Sequence, residues 1–95
     1  MPVIVTIEIP GGSEELYRRT HARINAAPWF PTPGFLAHAA GPDGTGGFRV
    51  IDFWDSVEAF RAFERKARPI YEEMGIGGVI PRVDEAVEVV VPPRG

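Results

Sequence analysis

His38 and Asp52 are the two residues of this chain whose types and placement could move a proton together. Each sits in a short apolar run, Gly34-Phe-Leu-Ala-His-Ala-Ala40 and Phe48-Arg-Val-Ile-Asp-Phe-Trp54, of the kind that forms a buried strand. The residues between them, Gly41-Pro-Asp-Gly-Thr-Gly-Gly47, have the glycines and aspartate of a hairpin connection. A hairpin centred near Gly44 pairs His38 with Val50 and sets it diagonally from Asp52, within hydrogen-bonding reach. Period-two geometry then places Val50, Asp52 and Trp54 on one face. A carboxylate bound to one imidazole nitrogen fixes the tautomer, leaving the other nitrogen to take a proton from a phenol or an acidic carbon near neutral pH. Everything hangs on register. A slip of one residue turns His38 to the other face, where it is a buried seam histidine, and Asp52 then pairs with an arginine such as Arg49.

Other residues could complete a site around that pair. Trp54 and Val50 line the same face; Phe60 and Tyr71, at helical spacing, border a space between helix and sheet, and Tyr71 has a proton to give. Trp29 and Phe30 stand in a loop stiffened by prolines, Pro28-Trp-Phe-Pro-Thr-Pro-Gly34, as a lid over a ligand or a plug of the core. Tyr71 or Arg49 could donate to a developing oxyanion. Glu8 and Glu88 are weaker candidates, acids if buried and ordinary solvated residues if not. Tyr17 flanks the inward stripe of its helix, and His21 one turn on reads as solvent-facing.

The elements that must position these residues follow from punctuation and periodicity. An apolar strand, Val3–Ile9, ends at Pro10-Gly-Gly12. Ser13 caps a helix to about Ala26, with Leu16, Thr20, Ile24 and Ala27 facing inward. After the two hairpin strands, Asp55 or Ser56 caps a second helix with an apolar stripe from Val57 to Met74. Pro69 is expected to kink it or to start a second short piece ending at Gly75. A last strand reads as Val83–Val91. The order βαββαβ, folded with right-handed crossovers, gives one α+β domain over residues 1–95: a ferredoxin-like, four-stranded antiparallel sheet with both helices on one face. The strands are apolar on both sides, so the face without helices is expected to be covered by a second copy, giving a homodimer.

Composition removes several classes of function. With 10 basic residues against 13 acidic ones, and no basic stripe, the chain lacks the footprint of a nucleic-acid binder. It has no cysteine, and its two histidines show no metal-ligand spacing, so thiol chemistry, disulfides and a metal site are not expected. The glycine-rich connection joins two strands instead of opening a helix, so it is no phosphate loop, and no motif suggests a flavin or nicotinamide. No leader and no apolar run near membrane-spanning length is seen, which points to a cytoplasmic protein without a membrane partner.

Gly34–Gly41, Phe48–Ser56 and Glu58-Ala-Phe60 together resemble the dimeric α/β-barrel superfamily, in particular its antibiotic-biosynthesis-monooxygenase-like (ABM) proteins. The resemblance implies two protomers closing a barrel sheet against sheet, and a pocket tryptophan at the position of Trp54. Haem-degrading members use a histidine of the second helix, which has none here. The expected function is a cofactor-independent monooxygenase of aromatic or polyketide metabolism, binding a small aromatic or polyketide ligand between sheet and helices. His38 and Asp52 would be catalytic, with Trp54, Val50, Phe60, Tyr71, Trp29 and Arg49 around the substrate. A polyketide cyclase or isomerase, or a non-catalytic ligand-binding or structural dimer, are the other readings of the same fold.

Overall fold

The computed structural model describes residues 1–93, so the last two residues of the expected 1–95 domain lie outside it. Six elements follow in the order β1 (Val3–Ile9), α1 (Glu14–Ala26), β2 (Phe35–Pro42), β3 (Phe48–Trp54), α2 (Val57–Glu73) and β4 (Arg82–Glu85). They form the expected ferredoxin-like sheet, ordered β2-β3-β1-β4, with every neighbouring pair antiparallel.

Both helices start where a serine can accept from the exposed N–H groups of the first turn. Ser13 takes the bond from Leu16 and Ser56 that from Ala59, each at 3.1 Å, with acidic residues behind them at the positive end of the helix. Helix α2 runs unbroken through Pro69, contrary to the expected second piece. It stops where Gly75 takes φ 81°: Ile76 N–H bonds Tyr71 O and Gly75 N–H bonds Glu72 O, which satisfies the last carbonyls.

The helices cover one face. Val3, Val5 and Trp54 of the sheet, Ile24 of α1, and Phe60, Phe63, Ala67 and Ile70 of α2 make the buried core. Strand β4 is shorter than the expected Val83–Val91, and the reason is its partner. Glu85 pairs with Val3 and Ala86 N–H bonds Pro2 O at 2.9 Å, so the antiparallel run reaches the beginning of β1 and has nothing left to pair with. Residues 87–91 leave the sheet there, with Val87 97% and Val90 72% exposed.

The hairpin differs from expectation by two residues. His38 lies opposite Asp52, not Val50, and Ala40 takes the place opposite Val50. The connection is shortened at its β2 end: β2 runs on to Pro42, which pairs with Phe48, and the Asp43 side chain accepts from Thr45 N–H, Thr45 Oγ1 and Gly47 N–H. A register shift between Phe35 and Ala37 keeps Phe35 opposite Trp54. A displacement of two preserves the face, so His38, Asp52 and Trp54 remain on the helix side.

Candidate active site

Between the sheet and the helices lies a cavity of about 190 Å³. Its walls are mostly apolar, among them Ile7, Ile24, Phe30, Phe35, Phe63 and Trp54. The polar groups on its lining include Tyr17, His21, His38 and Asp52 toward α1 and the hairpin, and Glu64, Arg68 and Tyr71 from α2.

Asp52 is buried at the floor, on the strand next to β1, and is 5% exposed. Its Oδ1 lies 2.6 Å from His38 Nδ1. A carboxylate only accepts, so Nδ1 carries the proton and His38 Nε2 is left as an acceptor. The Tyr17 hydroxyl fills that position at 2.6 Å, donating from α1. Tyr17 Oη also stands 3.5 Å from His21 Nδ1, a long contact. Stacking holds the line in place: Tyr17 lies against Phe48 at 5.3 Å, His38 at 5.8 Å and His21 at 5.4 Å, and the two imidazoles are 5.3 Å apart.

The charge states follow from burial. Desolvation, and then the nearby Asp52 carboxylate, push the Tyr17 hydroxyl above its ordinary pKa, so it stays protonated; Arg18 opposes this weakly. Desolvation pushes His21 down, with His38 and Arg18 acting in the same direction and Asp52 against it, which favours the neutral ring. Tyr71 is driven well up, mainly by burial and then by Asp52 and Glu64, and is a firm hydroxyl donor. Trp54 is fully buried, and its Nε1–H has no hydrogen-bond partner.

Of the residues singled out in the sequence, the structure brings His38, Asp52, Trp54, Val50 and Tyr71 to one cavity. It does not bring Trp29, Phe60 or Arg49. Trp29 packs edge-on against Phe63 from behind the lining, leaving Phe30 to make the wall. Phe60 is sealed in the core against Trp54. Arg49 is exposed and alternates onto the opposite sheet face from Val50 and Asp52, so it cannot serve as the oxyanion donor. Glu8 shares that opposite face, and Glu88 is exposed beyond β4.

Tyr17 and His21 are the residues that sequence reasoning passed over. Their spacing of four put them on one helix face. Only the packing of α1 across the hairpin shows that this face looks at His38.

No protein-family model matches the chain, and no curated protein does. Solved structures do. A Deinococcus radiodurans protein described as an antibiotic biosynthesis monooxygenase without an established activity matches at 16% identity and TM-score 0.60, over 99% of this chain and 100% of that one. MhuD, in a mutant form with two manganese protoporphyrin IX molecules per active site, matches at 26% identity and TM-score 0.60, over 97% and 100%. SnoaB, a cofactor-independent oxygenase from Streptomyces nogalater, matches at 18% identity and TM-score 0.55, over 97% of each chain. With whole-chain coverage in each case and the same βαββαβ order, this chain has the fold of the ABM-like proteins of the dimeric α/β-barrel superfamily.

Proposed function

We propose that this protein is a small cofactor-independent monooxygenase acting on a phenolic substrate held between the sheet and the two helices. One observation carries the reading: a hydrogen-bonded line from Asp52 through His38 to Tyr17, set into a cavity whose walls are otherwise apolar. Asp52 holds the His38 tautomer, and His38 is the base that draws off the phenol proton through the Tyr17 hydroxyl bound to its Nε2. The phenolate is electron-rich enough to give an electron to dioxygen. The radical pair joins in a new C–O bond, the peroxide takes back the proton, and loss of water leaves a quinone carbonyl. One oxygen atom stays in the product and the other leaves in water, so no reductant is consumed. Trp54, Phe35 and Phe63 orient the ring and keep water away, while the Tyr71 hydroxyl supplies a donor to the substrate's oxygens.

Size narrows the substrate. A cavity of roughly 150 Å³ holds a benzene ring, so about 190 Å³ suits one substituted ring. A porphyrin does not fit: pockets for drug-sized ligands start at roughly 300 Å³, and α2 carries no histidine to ligate iron. The reading is tested by oxygen uptake with single-ring hydroquinones. His38→Ala is expected to lower kcat/KM by about 10²- to 10⁴-fold, the usual worth of a general base. Unchanged uptake would remove His38 from the mechanism. A base at this position would equally serve a cyclase or isomerase by taking a proton next to a carbonyl; turnover without oxygen consumption would mark that chemistry.

The working form is a homodimer. Ile4, Ala37, Ile51 and Phe53 alternate onto the sheet face away from the helices, where they are half-buried in the single chain. They leave an apolar sheet face that a second copy would remove from water, and Val87, Val90 and Val91 are further exposed apolar residues beyond β4.

A further inference from the structure

His38 has one free nitrogen, and in this structure it is not open to a substrate. The Tyr17 hydroxyl occupies Nε2 at 2.6 Å, while Nδ1 is committed to Asp52. A proton can therefore reach His38 through Tyr17. On the far side of Tyr17 stands His21 Nδ1, 3.5 Å from the same hydroxyl oxygen and half-buried at the edge of the cavity. We infer that Tyr17 and His21 form a proton route between His38 and solvent. This rests on the reading of His38 as the base.

The substrate hydroxyl gives its proton to Tyr17 Oη as Tyr17 gives its own to His38 Nε2, leaving a phenolate, a neutral tyrosine and an imidazolium against Asp52. Tyr17 then takes the proton back from Nε2 and, its hydroxyl turned toward α1, passes one to His21 Nδ1. His38 is neutral again and His21 is charged, ready to release a proton from Nε2 to water. Moving the charge outward has a chemical purpose, since a proton left on His38 would return to the phenolate before dioxygen could react. The same line, run backward, supplies the proton that the peroxide needs.

The surroundings suit both groups. Burial keeps Tyr17 a neutral hydroxyl, which relays protons without storing a charge. His21 is faced by Tyr17 and Arg18 of its own helix and by His38 and Asp52 of the sheet, and its depressed basicity leaves it neutral and able to accept. Glu64 and Arg68 of α2 line the same cavity.

The test needs no substrate. Exchange of a proton on and off His38 Nε2 with water, read from the broadening of the Nε2 resonance in nitrogen-15 NMR of the ligand-free protein, is expected to slow tenfold or more in Tyr17→Phe and in His21→Gln. Added imidazole is expected to restore the His21→Gln rate, which a purely structural role would not produce. Exchange as fast as the wild type in either variant overturns the route. If the protein turns over no phenol but both variants slow exchange, the route stands and the oxygenase reading falls; an active oxygenase with unchanged exchange keeps the oxygenase reading and discards the route. In an active enzyme, His21→Gln is also expected to make kcat depend on buffer concentration, and a buffer-independent kcat equal to the wild type counts against the route.

Discussion

Adding a proton to His21 is harder in the folded protein than in the unfolded chain, because burial disfavours the charged ring and His38 stands 5.3 Å away. Its folded pKa therefore lies below the ordinary value of 6.5. As pH falls through that ordinary value the unfolded chain binds the proton first, so this group's contribution to stability is full above it and is lost as pH drops toward the folded value. Urea midpoints measured from about pH 8 to pH 5 should fall in the wild type and fall less in His21→Gln. Equal slopes would mean that His21 is as easily charged in the fold as outside it. Asp43 has the same sign, in a more acidic range. Hydrogen bonds from Thr45 and Gly47 hold its carboxyl below the usual value, so the hairpin connection weakens only in acid.

The joint between the proline-rich loop, β2 and α2 rests on Gly34. It has φ 89°, and a Cβ there would come within 2.5 Å of Asp55 Oδ1 and 2.6 Å of Ala59 Cβ. Its carbonyl also accepts from Asp55 N–H at 2.9 Å. Gly34→Ala combines left-handed strain with overpacking and is expected to cost about 2–4 kcal/mol. Gly44 has a similar φ of 85° with nothing within 4 Å of the added methyl, so Gly44→Ala should cost only about 1–2 kcal/mol. Thermal or urea unfolding of the two variants compares them directly, and equal losses would show that the close approach at Gly34 relaxes freely. The capping serines, the inward stripes and the hairpin were legible in local sequence because each is set by neighbours a few residues apart. The end of β4 was not. It depends on where β1 begins, about eighty residues earlier in the chain.

For the molecule as a whole, a second copy on the open sheet face predicts a concentration-dependent assembly. Light scattering at micromolar concentration should give twice the chain mass, and Phe53→Glu should return the protein to a monomer with an unchanged circular dichroism spectrum. A monomeric wild type would remove the dimer. A Phe53→Glu variant that stayed dimeric would move the contact to another surface.

What the residues alone determined is the fold and one face of it: apolar strands in βαββαβ order can bury themselves in few ways, and period two ties Asp52 to Trp54 whatever the loop does. His38 fell on the same side because the expected register differed from the observed one by an even number. Tertiary packing decided the rest. Which aromatic of the Trp29-Phe30 pair meets the cavity depends on how the loop folds back on Phe63, and whether Tyr17 meets His38 depends on the crossing of α1 over the hairpin. Those contacts join residues 21 to 34 positions apart, and no local pattern records them, because the free energy that fixes them is spread over the whole core.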